Sequence, residues 1–241
     1  TVARGAERLL QHCDPDEGGI GNAPKFPNVP VFALLLRHHQ ATRRPELLQA
    51  VTRTLTAMAR GGIHDQLGGG FHRYSVDAHW LVPHFEKMLY DNVQLAPLYL
   101  DAFVVTGDPL YRDVASATFD YLLREMTHPE GGFYSTQDAD TEGEEGKTYL
   151  WRIEEIRSLL DAETADMLCR YYQVDEAGNF AEPGQRERKS ILNVKLTRDE
   201  LARLLGRARS DVDAILERGR RTLLDARSRR TQPGLDDKIL T

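Results

Sequence analysis

The residues with the most chemical potential in this sequence lie in one glycine-rich segment, residues 60–92. Histidine exchanges a proton near neutral pH, so it can serve as an acid or as a base. A reaction that removes a proton beside a carbonyl group and returns it needs one base and one acid. His72 and His84 provide such a pair, and Glu86 lies close to the second of them in sequence. We therefore take these three residues as the candidate catalytic groups.

Other side chains of this segment, together with two aspartates further along the chain, are suited to bind a polar ligand. An arginine can hold a carbonyl or carboxylate oxygen through directed N–H groups, and an aromatic ring can stack on the face of a sugar. The candidate substrate-binding residues are His64, Asp65, Arg73, Tyr74, Trp80, Lys87, Tyr90, Asp138 and Asp140. The alternative is that the histidines cap helix ends or fill the core, with His79 simply exposed in a loop.

Hydrolysis of a glycosidic bond is the alternative chemistry, because it needs two carboxylates on opposite sides of the bond. The available carboxylates are Asp65, Glu86, Asp138 and Asp140. Residues 138–143 begin like a calcium-binding loop, but the position that needs a chelating glutamate is Tyr149. We therefore expect neither a metal ion nor a cofactor.

The composition excludes several other classes of function. A net charge of −6 and a pI of about 5.8 argue against a general nucleic-acid-binding protein, which needs a concentrated basic surface. The 2 cysteines, Cys13 and Cys169, are too far apart to form a zinc or redox motif. Few cysteines, no signal-like N-terminus and no long apolar run lead us to expect a cytoplasmic protein without a membrane partner.

Apolar residues at helical spacing account for most of the remaining chain. They predict helices at residues 2–13, 31–42, 45–59, 83–102, 109–122, 153–160, 164–172, 197–205 and 211–226. The β-prone residues 133–136 and 148–151 flank an acidic turn and predict a hairpin. Residues 179–181 and 190–196 could form a second strand pair, and the sequence from Asp236 onward resembles the start of another helix.

The lengths of the connections alternate along the first part of the chain. Long, glycine-rich connections occupy residues 14–30, 60–83 and 128–151, and short ones occupy residues 41–45 and 106–109. Because alternate connections between antiparallel helices fall at the same end, we expect the long connections to share one face. This arrangement, with a Gly-Gly-apolar step repeated in each long connection, predicts a mainly α protein with the plan of an α/α toroid.

Several long motifs resemble one known family. They are GGIHDQLGGGFHRYSVDAHWLVPHFEKMLYDN with APKFP before it, GGFYSTQDADTEGEEGKTYLW after it, and LDDKILT. Together they resemble the spermatogenesis-associated protein 20 family of thioredoxin-domain-containing proteins. The resemblance implies a six-hairpin α/α toroid similar to N-acylglucosamine 2-epimerases and six-hairpin glycosidases, which in family members follows a thioredoxin-like domain.

The resemblance also sets expectations about extent and function. It implies that residues 1–241 form part of a toroid, with an inserted segment at about 150–205 and without the thioredoxin-like domain. Either the rest of the toroid or a second copy would then cover the helix faces left open. We expect an enzyme of the sugar epimerase or isomerase type acting on a small sugar-like ligand. The alternatives are a glycoside hydrolase and a non-catalytic interaction scaffold linked to a thioredoxin-like domain.

Overall fold

The computed structural model describes residues 2–181, 188–236 and 238–240, which form two compact units. Unit 1 contains the chain up to residue 64, residues 69–139 and the described residues from 234 onward. Unit 2 contains residues 65–68 and the described part of 140–233. The described part of the segment predicted as an insertion, at about 150–205, lies within unit 2.

Helices make up most of unit 1. They are α1 (Val2–His12), α2 (Val29–Thr42), α3 (Pro45–Arg60), α4 (Leu89–Thr106) and α5 (Pro109–Glu125). Proline suits the start of α3 and α5, since the first turn of a helix leaves its N–H groups without helical partners. Asp108 caps α5, because its side chain accepts a 2.9 Å hydrogen bond from the backbone N–H of Leu110.

The core of unit 1 lies between these helices. α2 packs against α3 and α4 packs against α5, so the predicted helical hairpins are confirmed. Phe32, Leu55 and Tyr99 are fully buried, and the hydroxyl of Tyr99 donates a 2.7 Å hydrogen bond to the carbonyl of Leu55. The long connections are thus anchored at both ends in packed helices.

Short strands cross-link these connections and the end of unit 1. All described strands are two residues long: β1 (Tyr74–Ser75), β2 (Pro83–His84), β3 (Lys87–Met88), β4 (Phe133–Tyr134), β5 (Thr136–Gln137), β6 (Asp140–Thr141), β7 (Glu144–Glu145) and β8 (Ile239–Leu240). Antiparallel pairs form between β1 and β2, β3 and β5, β4 and β8, and β6 and β7. The pairs β1–β2 and β6–β7 are small hairpins in the long connections.

The start of α4 differs from the prediction. A helix starting at Pro83 is wrong, because β2 and β3 are extended and hydrogen-bond to other strands, so α4 starts only at Leu89. Glu86 therefore does not share a helical face with Tyr90. The side chains before Leu89 alternate between two sides of an extended segment instead.

Two further predictions about the strands are wrong. Residues 133–136 do not pair with residues 148–151, because β4 pairs with β8 and β5 pairs with β3. β8 also replaces the helix expected near the end of the chain. Local β-propensity indicated that these residues are extended, but it could not identify their partners.

Unit 2 is also mainly helical. Its helices are α6 (Ile153–Leu159), α7 (Ala162–Tyr171), α8 (Arg198–Leu205) and α9 (Arg209–Ser228). α8 begins with a capping box, in which the side chains of Thr197 and Glu200 each accept a hydrogen bond from the backbone N–H of the other residue. Instead of the predicted second strand pair, single bridges join Phe180 to Lys189 and Trp151 to Ser190.

Among the described residues, no helix combines the length and the apolar character needed to cross a bilayer.

Candidate functional site

The long connections of unit 1 contact one another through their backbones. Lys25, from the first connection, and Ser75, from the second, exchange two hydrogen bonds of 2.8 Å. β3, which follows the second connection, pairs with β5 in the third. The prediction that these connections lie together is confirmed, and the side chains between residues 72 and 91 are positioned by this network.

Glycines allow the connections to pack closely around Trp80. A Cβ on Gly19, whose φ is +80°, would lie 2.5 Å from the Trp80 ring, and one on Gly61 would lie 2.3 Å from the Trp80 carbonyl oxygen. Trp80 is fully buried, and its indole N–H donates a 2.9 Å hydrogen bond to the carbonyl of Glu17. Its ring is therefore covered by protein, which favours an anchoring role over stacking on a sugar.

Two buried lysines fasten the glycine-rich turns. Lys25 donates to Asp14 at 2.6 Å and to the carbonyl of Gly18 at 2.8 Å. Burial opposes ionisation of Asp14, but the Lys25 hydrogen bond and backbone N–H groups outweigh it and lower the pKa of Asp14 to about 2. Lys87 donates to the carbonyl of Gly69 at 3.0 Å and lies 4.3 Å from the Tyr121 ring centre. Lys87 therefore holds the loop and does not reach its surface.

Asn92 links the loop to the start of α4, a role that its residue type and position do not predict. Its side chain accepts a 2.7 Å hydrogen bond from the N–H of Phe71 and donates to the carbonyls of Phe71 and Met88, at 3.0 and 2.9 Å. All three contacts are made by one buried amide. Asn92 thus fixes the position of the residues next to His72 and Arg73.

The structure places two of the candidate histidines inside the protein. His72 is 2% exposed, and its Nδ1 lies 2.8 Å from the carbonyl oxygen of Phe85. His64 is also buried, with its ring centre 4.8 Å from that of Phe71. Their burial favours roles in packing. His79, in contrast, is exposed as expected, with its Nδ1 3.0 Å from a carboxylate oxygen of Glu17.

A partly exposed group of mostly charged side chains extends from the second connection to the first turn of α4. We call it the Arg73 cluster: Arg73, His84, Glu86, Tyr90 and Asp91. Arg73 Nη1 donates to Glu86 Oε2 at 2.7 Å, and His84 Nε2 lies 3.9 Å from the same oxygen. The side chains of Arg73, His84 and Glu86 are 38%, 30% and 20% exposed. The cluster therefore brings an imidazole, a carboxylate and a guanidinium together at the surface.

Strand pairing fixes the imidazole of this cluster. Tyr74 and His84 lie opposite each other in the pair formed by β1 and β2. Their rings stack with centres 5.0 Å apart. The ring centre of Phe26 lies 4.7 Å from that of Tyr74. The candidate ligand residue Tyr74 therefore orients His84 through aromatic packing.

Asp91 is the buried acid of the cluster, and it is not among the candidate residues chosen from the sequence. Burial raises the pKa of Asp91 to about 6, an effect that Arg73 opposes and Glu86 reinforces. Its Oδ2 and the Nε of Arg73 are both buried and have no hydrogen-bond partner among the described residues. Sequence shows only that a carboxylate follows the loop, because its burial depends on non-local packing.

The remaining acidic candidates have other surroundings. Asp65, in unit 2, accepts two hydrogen bonds from Arg227, at 2.7 and 2.8 Å, and further bonds from the N–H groups of Leu67 and Gly68. Asp138 is exposed in unit 1, whereas Asp140 is exposed in β6 of unit 2. Within the described part of the chain, no group of three or more His, Cys, Asp or Glu residues is arranged to hold a metal ion.

Comparison with known proteins identifies the relatives of the chain. No family model matches the sequence. Spermatogenesis-associated protein 20 from Homo sapiens is 37% identical over 257 residues, which cover 97% of this chain and 33% of that protein. The chain is a relative of spermatogenesis-associated protein 20. The protein of the same name from Rattus norvegicus is 35% identical, with the same shares covered.

The chain thus spans about one third of the length of spermatogenesis-associated protein 20. Almost the whole length of this chain takes part in the match. The Arg73 cluster lies inside the matched region. Among solved structures, a sugar epimerase from a ruminal bacterium superposes with a TM-score of 0.51 and 11% identity, covering 97% of this chain and 57% of the other. This likeness confirms the fold class, which is mainly α with the helical hairpins of an α/α toroid.

Proposed function

We propose that the chain carries part of the ligand-binding surface of a sugar epimerase or isomerase of the six-hairpin class. The observation that supports this proposal most directly is the Arg73 cluster. It combines a partly exposed imidazole with a carboxylate and a guanidinium, on connections that gather at one end of helical hairpins. The solved structure with the similar fold is described as a sugar epimerase, which favours the same class of substrate.

In this proposal His84 moves the proton. Its Nε2 lies 3.9 Å from Glu86, so the carboxylate can stabilise the imidazolium formed after His84 removes a proton from the carbon beside the carbonyl group. Tyr74 keeps the ring oriented by stacking. The charge of Arg73 can stabilise the enolate oxygen that develops when the proton leaves.

His72 has a positioning role in the same proposal. Because its Nδ1 contacts the carbonyl oxygen of Phe85, it holds the extended segment between His84 and Glu86. A change at His72 would then act on the reaction through the placement of these two residues. This role replaces the acid–base pair of His72 and His84 that the residue types suggest.

The test uses isotope exchange with defined sugars. The chain is incubated in D₂O with D-glucose, D-mannose, N-acetyl-D-glucosamine, N-acetyl-D-mannosamine and cellobiose, and deuterium at C2 is measured by NMR and mass spectrometry. We expect the wild type to exchange at least one sugar, and His84→Asn to slow exchange roughly 10²- to 10⁴-fold, the usual contribution of an acid–base group.

His79→Asn is the matched control, since His79 is an exposed histidine of the same connection. It should exchange at the wild-type rate. Absence of exchange with all five sugars, or a full rate in His84→Asn, would contradict the proposal. Binding of these sugars without any exchange would favour a non-catalytic role.

A further inference from the structure

Unit 2 contains a cavity of about 330 Å³, and all the described residues that line it belong to that unit. Small-molecule sites in proteins usually have volumes of about 300–1,000 Å³. None of the described lining residues is among the candidate catalytic or ligand-binding residues. The cavity therefore has the size of a small-molecule site and a set of residues of its own.

Charged side chains dominate this cavity. The described residues that line it include four cations and two carboxylates: Lys147, Arg152, Lys189, Arg230, Glu142 and Glu155. These cations outnumber the carboxylates, although the chain as a whole has a net charge of −6. A cleft lined mainly by charges of one sign concentrates ligands of the opposite sign. The lining therefore favours an anionic ligand.

Arg230 forms a fixed part of the cavity wall. Its Nη1 donates hydrogen bonds to the carbonyls of Thr148 and Leu150, at 2.6 and 2.9 Å, and its Nη2 donates to the Glu155 carboxylate at 2.5 Å. The central carbon of the guanidinium lies 3.9 Å from the centre of the Trp151 ring. Because backbone and ring hold this side chain, its positive charge is in place before a ligand arrives.

The positive charges near Arg230 repel one another. Burial lowers the pKa of Arg230, and the charges of Arg227 and Arg152 act in the same direction, against the attraction of Glu155. Arg227 is already paired with the buried Asp65, whereas Arg152 is exposed and lines the cavity. An anion bound beside Arg152 would offset this repulsion.

The two lysines of the cavity share one carboxylate. Glu144, in β7, has its carboxylate oxygens 2.8 Å from Lys147 Nζ and 3.4 Å from Lys189 Nζ. Lys147 also contacts Glu142 at 3.1 Å. Even with Glu144 included, the described cations around the cavity exceed the described carboxylates. Since an ammonium group has three N–H donors, these contacts do not use all the donors of the two partly exposed lysines.

We propose that this cavity binds a small phosphate monoester of a polyol. Lys147, Arg152 and Lys189 hold the phosphate group. Glu142, which is exposed and lines the same cavity, accepts hydrogen bonds from the hydroxyl groups. The sugar reaction proposed above uses none of these residues, so the two proposals can fail separately.

The residue types select this class of ligand. A phosphate monoester has a charge of about −1.5 to −2 at pH 7, which suits an excess of cations. Lysine binds phosphate as a point charge, and arginine binds it through its planar set of N–H groups. The carboxylate of Glu142 repels a bare anion but accepts hydrogen bonds from hydroxyl groups, so a ligand with hydroxyls beside its phosphate fits best.

The test measures binding to the wild-type chain by isothermal titration calorimetry at low salt, with glycerol 3-phosphate and glucose 6-phosphate as probes. Inorganic phosphate and glycerol represent the two halves of such a ligand. We expect at least one ester to bind more tightly than either half. Lys189→Ala and Arg152→Gln should each weaken its binding about tenfold or more, as expected for a lost hydrogen bond between charged groups. Added salt should weaken binding as well.

Lys195→Ala is the matched control, because Lys195 is an exposed lysine of unit 2 and is not among the described residues that line the cavity. It should bind the esters as the wild type does, and circular dichroism checks that all three variants are folded. The inference is overturned if neither ester binds the wild type, or if Lys189→Ala and Arg152→Gln both keep wild-type affinity. Equal affinity for inorganic phosphate would overturn the role given to the hydroxyl groups. Deuterium exchange into sugars tests the proposed function independently of these outcomes.

Discussion

Two arginine–carboxylate pairs in this protein use the same chemical groups in opposite ways. In unit 2, Arg227 and Asp65 form two parallel hydrogen bonds of 2.7 and 2.8 Å, and their side chains are only 5% and 3% exposed. In unit 1, Arg73 and Glu86 share one bond of 2.7 Å and are 38% and 20% exposed. The first pair is closed by protein, and the second remains open to solvent.

The difference lies in which polar atoms the protein itself satisfies. Asp65 accepts hydrogen bonds from Arg227 and from two backbone N–H groups, so its carboxylate is fully used within unit 2. The Nε of Arg73 has no hydrogen-bond partner in the described part of the chain, and neither has the Oδ2 of Asp91. Similar residues thus serve stability in one place and, in the proposed function, ligand binding in the other, and changing each pair separates the two roles.

The largest effect on stability is expected at the closed pair. Arg227→Met would leave the Asp65 carboxylate buried without its main partner, and breaking a buried pair typically costs about 3–5 kcal/mol. Urea unfolding of the wild type and the variant would measure the loss. The double variant Asp65→Asn with Arg227→Met should recover part of it, since no lone charge is then buried. A loss no greater than that of a surface substitution would show that the pair is not closed.

A smaller loss of stability is expected at Asn92, which positions the residues next to the open pair. Asn92→Ala removes the acceptor for the buried N–H of Phe71, and an unsatisfied buried group costs about 1–3 kcal/mol. Gln94→Ala is the control, because Gln94 lies in the same helix with its side-chain bond at the exposed surface. Equal urea midpoints for the two variants would show that Asn92 does not support the cluster.

The dependence of stability on pH should reveal the buried acid of the open cluster. The pKa of Asp91 is about 6 in the folded protein, against an ordinary value of 3.8. The folded state therefore binds more protons between these values, so Asp91 makes unfolding easier as the pH rises from about 4 to 6. The stability of the wild type minus that of Asp91→Asn should fall over this window and level off above it. A constant difference would mean that Asp91 titrates normally.

The smallest effect on stability is expected for the open pair itself. Glu86→Gln removes a partly exposed ion pair, and such pairs typically contribute about 0–1 kcal/mol. Thermal melting should therefore change little, whereas sugar exchange should slow because His84 loses its carboxylate partner. A large drop in melting temperature would indicate that this pair supports the fold in the same way as the closed one.

The helices could be predicted from sequence because their signals are local. Apolar spacing located them, and residues such as Pro45, Asp108 and Thr197 marked where they begin. The segment before α4 could not be predicted in the same way. Its strands find their partners in other connections, and Pro83, which usually favours a helix start, lies in one of these strands.

Residue type suggested the open cluster but could not report burial. Arg73, His84 and Glu86 were recognisable as chemically suitable, and they lie together. His72 and Trp80 are equally suitable by residue type, yet both are buried inside the packed loops. Asp91 differs from its sequence reading in the opposite sense, because a carboxylate at the start of a helix is usually exposed and this one is largely buried.

The chain leaves unit 1 after residue 139 and returns to it at residue 234. The backbone N–H of Asp138 donates a 2.8 Å hydrogen bond to the carbonyl of Gly234. The points where the chain leaves unit 1 and returns to it are therefore adjacent. A piece of chain introduced between adjacent points can change in length without disturbing its host. Differences in length between relatives should therefore concentrate in the part of unit 2 between these two points, while Arg227 keeps its buried partner Asp65 and the long connections of unit 1 keep their spacing.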